Sequence, residues 1–221
     1  ITVGDASIRV FFPPEPKGRR ASLDEVVRAV RRAKSSVAFC LFMPTDKELR
    51  RAIFQAGDRG RMMFGLINKV SKSPGNGRDA AAVARVELYH RSRRERDVFG
   101  HGLFGEWDAP GGFLREPERL PGDRGKWPVY VHHKFVVIDA ETRDPVIYTG
   151  SANMSNNALY KNDENLLEIK GSPRLAAVYL AEFLRLYEHY RARAAWERRK
   201  DGAETYELSE DSSWCRKHYR R

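Results

Sequence analysis

Short apolar runs alternate with amphipathic stretches along the first ninety residues. The apolar runs are rich in β-branched and aromatic residues and predict strands at 7–12, 36–43, 62–67 and 85–90. The run at 36–43 is almost wholly apolar, which is typical of a strand covered on both faces. Between the first three runs, apolar residues recur at helical spacing. This order predicts an α/β fold with a mixed, mostly buried β-sheet flanked by helices on both faces.

Three helices have recognisable start signals. Residues 22–25 and 45–48 each have the spacing of a capping box, in which a hydroxyl and a carboxylate pair with backbone N–H groups. Ser172 followed by Pro173 predicts a third, long helix that ends near residue 200. We expect the apolar side chains of these helices to be buried: Val26, Val27, Val30, Ala33, Leu49, Ala52, Ile53, Ala56, Leu175, Val178, Tyr179, Phe183, Leu186, Tyr187 and Tyr190.

These elements predict one domain over residues 1–200, followed by a polar C-terminal tail over 201–221. Residues 91–128 form a long loop insertion with clustered arginines and several aromatic residues. A connection of this length inside a domain is usually functional or disordered. As a functional element it would rim a cleft and steer an anionic substrate. The alternative is a solvated insertion held by its aromatic side chains.

The charge of the chain favours anionic partners. Its 40 basic and 30 acidic residues give a net charge of +10, which suits nucleic acid, anionic lipid surfaces or phosphate esters. A generally basic composition is the alternative explanation. Cys40 and Cys215 form no metal-binding or disulfide pattern, and Cys40 is predicted to be a buried free thiol. No apolar run approaches the roughly 18 residues that span a membrane.

The residues best suited to chemistry begin in a predicted strand at 129–138. Side chains alternate along a strand, so His132 and Lys134 are expected on one face and His133 on the other. A return strand at 146–149 leads into a turn of sequence Gly-Ser-Ala-Asn. Such a turn offers backbone N–H groups, a hydroxyl and an amide that can donate to an anion. A nucleophile, a cation and neutral donors together indicate phosphate chemistry.

The order of these residues resembles the HxK(x)4D…GSxN signature of the phospholipase D superfamily. The matching residues are His132, Lys134, Asp139, Gly150, Ser151, Asn153 and Glu164. An ordinary hairpin with a buried histidine and a solvated lysine is the alternative, but it does not account for the whole set. Ten residues separate Asp139 from Gly150 here, whereas the family usually has six. The surplus is polar and contains a proline, which predicts a lengthened hairpin loop.

The resemblance implies a two-step mechanism without metal or cofactor. In it, His132 attacks a phosphodiester and forms a phosphohistidine, and a second histidine protonates the leaving oxygen. Lys134 and Asn153 would hold the non-bridging oxygens of the substrate and stabilise their charge in the transition state.

The remaining motif residues have supporting roles by the same resemblance. Ser151 would assist catalysis at the turn, and Gly150 would help to bind the substrate. Glu164 matches an acidic residue that orients a catalytic imidazole. Asp139 is separated from Lys134 by an odd number of positions, so it faces the opposite way on a strand. It is therefore expected to be structural and to accept buried hydrogen bonds.

The implied mechanism needs two such motifs, and this sequence contains one. The second is expected either from an identical chain about a two-fold axis, as in single-motif nucleases of the family, or from another part of a longer protein. A start at Ile1 instead of methionine, and a resemblance to the C-terminal halves of bacterial phospholipase D-like proteins, favour the longer protein.

Three functions stay open on the sequence. The leading hypothesis is a phospholipase D-type phosphodiesterase acting on phospholipid or similar small diesters. The second is a nuclease of the same superfamily acting on DNA or RNA, and the third is a non-catalytic anion-binding scaffold. We expect a soluble chain, with its compartment open between a bacterial cytoplasm and a processed secreted fragment.

Overall fold

The computed structural model describes residues 1–72, 82–91, 97–101 and 131–200. The described residues form thirteen elements of regular structure. In chain order they are β1 (Thr2–Val3), β2 (Ala6–Phe11), α1 (Ala21–Arg31), β3 (Ser36–Phe42), α2 (Lys47–Asp58), β4 (Met62–Lys72), β5 (Ala82–Arg91), β6 (Asp97–His101), β7 (Lys134–Ile138), β8 (Val146–Gly150), α3 (Asn156–Tyr160), β9 (Leu166–Lys170) and α4 (Pro173–Lys200).

The strands of the described residues form one nine-stranded sheet. Their order across the sheet is β1-β2-β9-β8-β7-β3-β4-β5-β6. Neighbouring strands are antiparallel except for β3 and β4, which run parallel and are connected through α2. A parallel pair requires such a crossover, since a tight turn can join only antiparallel strands. The predicted mixed sheet is confirmed.

Alternation along β3 divides the core into two layers. Val37, Phe39 and Leu41 pack in the cluster that includes the apolar residues of α1 and α2. Ala38 and Cys40 point the other way, into the cluster that includes the buried residues of α4. The predicted arrangement of helices on both faces is therefore confirmed. Cys40 is free and buried as predicted, and burial, with the negative charge of Glu182, raises the pKa of its thiol.

The predicted buried positions hold for α1 and α2, whereas in α4 Leu175 and Tyr179 are only partly buried and Val178 is exposed. Val178 is 59% exposed, whereas Ala176 is fully buried. The buried line of α4 continues through Phe183, Tyr187 and Tyr190. Val178 lies five residues before Phe183, which is about 140° around a helix with 3.6 residues per turn. It therefore faces solvent although it is apolar.

The caps of two helices differ from the prediction. The N-cap of α1 is Arg20, and the carboxylate of Glu15 accepts the backbone N–H groups of Ala21 and Ser22. In α2 the N-cap is Asp46, whose side chain accepts the N–H of Leu49 at 2.8 Å. In both cases a carboxylate, a stronger acceptor than a hydroxyl, accepts backbone N–H groups of the first turn, from the N-cap itself in α2 and from the preceding loop in α1.

The predicted start of α4 is confirmed. Ser172 Oγ accepts the N–H of Leu175 at 3.3 Å, and Pro173 is the first residue of the helix.

Parts of the predicted organisation lie outside the described residues. These are the tail at 201–221 and the loop insertion at 91–128 with its arginines and aromatic residues, apart from β6 and the last residue of β5. β6 was not predicted, and it pairs with β5 at the edge of the sheet. Across the described ranges, no helix combines the length and the apolar character needed to cross a bilayer.

Asp139 accepts hydrogen bonds at the end of β7, as expected from the sequence. It follows β7 in the hairpin to β8, with φ at 53°, and is 8% exposed. Its carboxylate accepts the backbone N–H groups of Lys34, Ser35 and Ser36 at 2.8–3.1 Å. Burial opposes ionisation, but these hydrogen bonds outweigh it and lower the pKa of Asp139. The residue therefore joins the hairpin to the connection between α1 and β3.

Replacing Asp139 by asparagine is expected to lower the free energy of unfolding by about 2 kcal/mol at pH 7, because charged acceptors make the stronger hydrogen bonds. The pKa is lower in the folded chain than in the unfolded chain. The stabilisation is thus complete above the unfolded-state pKa of about 3.9 and is lost as pH falls through the folded-state pKa. Urea unfolding from pH 7 to pH 3 measures the effect.

Asp144→Asn in the same hairpin is the control, because Asp144 is exposed. If the free energy of unfolding of Asp139→Asn stays below that of wild type by the same amount from pH 7 to pH 3, the role assigned to the Asp139 carboxylate is contradicted.

Candidate active site

The motif residues extend from one end of the sheet. Lys134 pairs with Leu41 and begins β7, and Gly150, the last residue of β8, pairs with Leu166 at the start of β9. The residues just beyond these positions therefore lie at the same end. They are His132, Ser151, Asn153, Glu164 and Asn165, and Phe42 and Asn68 lie at that end of β3 and β4.

His132 and Lys134 lie on the same side of the chain, and the Phe42 ring contacts both. The imidazole and the ring are edge to face, with their centroids 4.7 Å apart, and Lys134 Nζ lies 5.4 Å from the ring centroid. Lys134 Nζ also donates to the backbone oxygen of His132 at 2.8 Å. Of the predicted strand at 129–138, residues 131–133 precede β7, which begins at Lys134, and residues 129–130 lie outside the described residues. The predicted common side is confirmed.

His133 points to the opposite side of the sheet, as predicted. Its ring stands perpendicular to that of Phe135, with centroids 6.0 Å apart, and its Nε2 lies 3.6 Å from Glu182 Oε1 on α4. Phe135 belongs to the α4 layer of the core. The two adjacent histidines therefore have separate surroundings, and His132 is the one at the exposed end of the sheet.

Burial and charge at this end of the sheet favour the neutral form of the His132 imidazole. Partial burial lowers the pKa of His132, and the charges of Lys134 and His133 lower it further. The pKa of Lys134 is also lowered by burial, while the carboxylate of Glu164 acts in the opposite direction. Glu164 and Lys134 are thus close enough to interact, although they come from different ends of the motif. A neutral imidazole keeps the lone pair that a nucleophile needs.

The turn after β8 differs from the prediction in its backbone donors. The N–H groups of Ser151 and Ala152 both donate to the backbone oxygen of Asn165, at 3.1 and 3.2 Å. They are used within the fold, so the expectation that they bind an anion is wrong. Ser151 Oγ accepts the N–H of Asn165 at 3.0 Å, which leaves the hydroxyl proton able to donate.

Asn165 is a site residue that the sequence reasoning left without a role. Its backbone oxygen accepts both N–H groups of the turn, and its Oδ1 lies 3.3 Å from the Ser151 nitrogen. A Cβ on Gly150 would lie 2.4 Å from that same backbone oxygen, and the φ of Gly150 is 150°. Glycine is therefore required because the turn packs directly against Asn165. A paired glycine and asparagine in the sequence could not reveal this contact.

Asn153 lines a shallow cavity with Pro13, Ser22 and Leu159. Its Oδ1 is buried and has no hydrogen-bond partner among the described residues. A buried polar atom without a partner is costly, so its presence calls for an explanation such as a role in binding or catalysis. Asn153 and Lys134 extend from the same end of the sheet, but no hydrogen bond joins them within the described part of the chain.

The donor set of this edge suits an anion. It combines an imidazole, an ammonium group, a hydroxyl and an amide with the single carboxylate of Glu164. In the ranges that the structure describes, no cluster of three or more His, Cys, Asp or Glu residues is placed to hold a metal ion. The Pro13 oxygen accepts the N–H of Glu164 at 3.1 Å, so the loop after β2 holds the backbone of Glu164, and its carboxylate accepts from Asn162 Nδ2 at 3.1 Å.

Comparison with known proteins gives a consistent result. The family model described as "Cardiolipin synthase, PLD-like domain" matches residues 111–187, which include all the motif residues. A mitochondrial cardiolipin hydrolase of Mus musculus is 25% identical over 81% of this chain and 67% of its own length. The Homo sapiens protein of that name is 25% identical over 79% of this chain and 54% of its own. The chain thus spans about half to two thirds of the length of these relatives.

One solved structure shows the same fold. NucT from Helicobacter pylori has a TM-score of 0.50 and 18% sequence identity, and the match covers 83% of this chain and 96% of that one. This likeness concerns the α/β fold alone. The motif residues lie in the part of the chain that is similar to a PLD-like domain.

Substituting alanine at Gly150 tests the packing of the turn. Gly150→Ala is expected to lower the free energy of unfolding by about 3 kcal/mol, because backbone strain and a clash with Asn165 add together. Gly60→Ala is the control, since Gly60 also has a positive φ, 82°, but open space around it. Strain alone predicts a loss of about 1 kcal/mol there. Equal losses for the two variants in urea unfolding would contradict the contact.

Proposed function

We propose that this chain supplies one half of a phosphodiesterase active site in which His132 is the nucleophile and Lys134, Asn153 and Ser151 bind the phosphate. The observation that carries this proposal is the arrangement at Phe42, which places a neutral imidazole and an ammonium group side by side at an exposed edge. Glu164, whose carboxylate accepts from Asn162 Nδ2 at 3.1 Å, is the acidic group of the proposed site.

The proposed reaction has two steps. In the first, an imidazole nitrogen of His132 forms a bond to phosphorus while the bond from phosphorus to the leaving oxygen breaks, and a second histidine gives that oxygen a proton. In the second, the same histidine takes a proton from water, whose oxygen bonds to phosphorus as the P–N bond breaks. Lys134 and the polar groups of the turn stabilise charge on the non-bridging oxygens. This chemistry requires no metal ion.

The second histidine comes from outside the motif described here. A second copy of the chain or another part of a longer protein can supply it, and the mass of the active species distinguishes the two. His132 is exposed at the end of the sheet, which leaves it accessible to a facing motif.

Phospholipid is the first candidate substrate. The matching family model carries the name of cardiolipin synthase, and the similar mouse and human proteins are named cardiolipin hydrolases. A cardiolipin-type headgroup is a phosphodiester, which is the bond that the proposed reaction cleaves. Nucleic acid is the second candidate, because its backbone is also a phosphodiester and the chain has a net charge of +10.

His132→Asn is expected to reduce cleavage of bis(p-nitrophenyl) phosphate at least about 1,000-fold, because the nucleophile is lost. His133→Asn is the matched control. It removes the adjacent histidine, which faces α4, and is expected to keep turnover within about three-fold of wild type. Release of p-nitrophenol in the assembled protein, with and without EDTA, measures both.

Three results would contradict the phosphodiesterase proposal. They are undiminished turnover in His132→Asn, a strict need for a divalent ion, and a folded, assembled wild type that does not turn over. The third would favour a non-catalytic anion-binding scaffold.

The substrate class is tested by offering both candidates to the wild type and to His132→Asn. We expect headgroup release from cardiolipin-containing vesicles by the wild type alone. A nuclease would instead cleave single-stranded DNA or RNA and bind it with an affinity that falls steeply as salt is raised. Cleavage of nucleic acid by the wild type alone, with vesicles left intact, would replace the first candidate by the second.

A further inference from the structure

Asn68 is a fully buried polar residue at the site end of β4. Its relative exposure is 0%, and it lies beside Phe42 in the parallel pairing of β3 and β4. Its backbone oxygen accepts the N–H of Met43, and its side-chain Oδ1 accepts the N–H of Val131, both at 3.0 Å. Asn68 thus reaches from β4 to the residue that precedes His132.

The path of the chain explains why a side chain makes this bond. β3 ends at Phe42, and Met43 has a left-handed φ of 46°, which turns the backbone away from the sheet. The segment 131–133 has not yet entered β7, so Val131 receives no ladder partner from β3. A buried backbone N–H needs an acceptor. Since Val131 is itself fully buried, Asn68 provides one.

His132 is held between two fixed neighbours as a result. On one side, Asn68 binds the backbone of Val131. On the other side, the N–H of Phe42 donates to the backbone oxygen of His133 at 3.0 Å. Between these hydrogen bonds, the backbone of the segment has little freedom to move the imidazole away from the Phe42 ring.

We propose that Asn68 is a positioning residue for His132, acting through its hydrogen bond to the Val131 N–H. Asn68 fixes the imidazole against Phe42 and beside Lys134. The description of His132 as the nucleophile rests on the proposed function, whereas the positioning of its ring does not. A displacement of about 1 Å in a reacting group can reduce turnover about 100-fold.

Two substitutions separate this role from general stability. Asn68→Leu keeps the size of the side chain and removes the acceptor. Asn68→Asp keeps the shape of the side chain and an acceptor oxygen, and because burial favours the protonated carboxyl, it can accept the Val131 N–H without placing a charge in the core. Ser172→Ala is the control for stability, because it removes the cap of α4 at the other end of β9, away from residues 131–134. Asn68→Ser, with a side chain too short to reach Val131, replaces Asn68→Leu if the latter does not fold.

The first readout is the nuclear Overhauser effect between the rings of His132 and Phe42 in the folded protein. We expect it to be strong in wild type, Asn68→Asp and Ser172→Ala, and to be lost or much weaker in Asn68→Leu. The second readout is turnover of bis(p-nitrophenyl) phosphate by the assembled protein. We expect kcat to fall about 10- to 100-fold in Asn68→Leu with KM changed less than about three-fold, and Asn68→Asp to recover most of kcat.

If a folded Asn68→Leu keeps the contact between the His132 and Phe42 rings, the proposal is overturned. It is also overturned if Ser172→Ala loses that contact to the same extent as Asn68→Leu. A wild type that keeps the ring contact but does not cleave the diester would contradict the proposed function alone. The two failures are therefore distinguishable, since the first readout requires no turnover.

Discussion

The arrangement of the site depends on one requirement, that buried backbone groups outside the sheet ladder find hydrogen-bond partners. Three residues meet it at the places where the chain leaves its strands, Asp139 and Asn68 with their side chains and Asn165 chiefly with its backbone oxygen. Asp139 accepts three N–H groups of the connection before β3, Asn165 holds the turn after β8, and Asn68 binds Val131. Each contact joins segments far apart in sequence. Together they give irregular backbone at the ends of the sheet a defined position.

This requirement also separates His132 from His133. The segment that contains both is fixed by Asn68 and Phe42, so one ring lies at the exposed edge and the other faces α4. Partial burial then lowers the pKa of His132 and favours the neutral imidazole, while Lys134 adds positive charge beside it. An imidazole that is neutral and fixed needs little reorganisation before it attacks an electrophile. The geometry and the electrostatics thus have the same origin.

Local patterns in the sequence predicted the fold well where the burial of apolar side chains alone determines the structure. The alternation of β3 and the stripes of α1 and α2 follow from burial alone, and they are confirmed. Asp139 was expected from strand alternation to accept buried hydrogen bonds; it does accept them, but from the hairpin just beyond β7, where alternation no longer applies.

The errors arose where a tertiary contact replaces a local one. The turn N–H groups that were expected to bind an anion are bound by Asn165. The cap of α1 is Glu15, from the preceding loop. Asn68 lies in an apolar strand, and its polarity is the one signal that could have indicated a role. Its partner Val131 is 63 residues away, so the contact itself could not be predicted.

The central claim is that phosphorus becomes bonded to His132. Rapid denaturation of the assembled protein during turnover of a phosphodiester, followed by mass spectrometry of the peptides at neutral or alkaline pH, measures this directly. The account predicts a phosphoryl adduct on His132 that forms within one turnover and disappears when substrate is exhausted. An adduct on His133 instead, or cleavage of the diester with no adduct on any histidine of this chain or its partner motif, would contradict it.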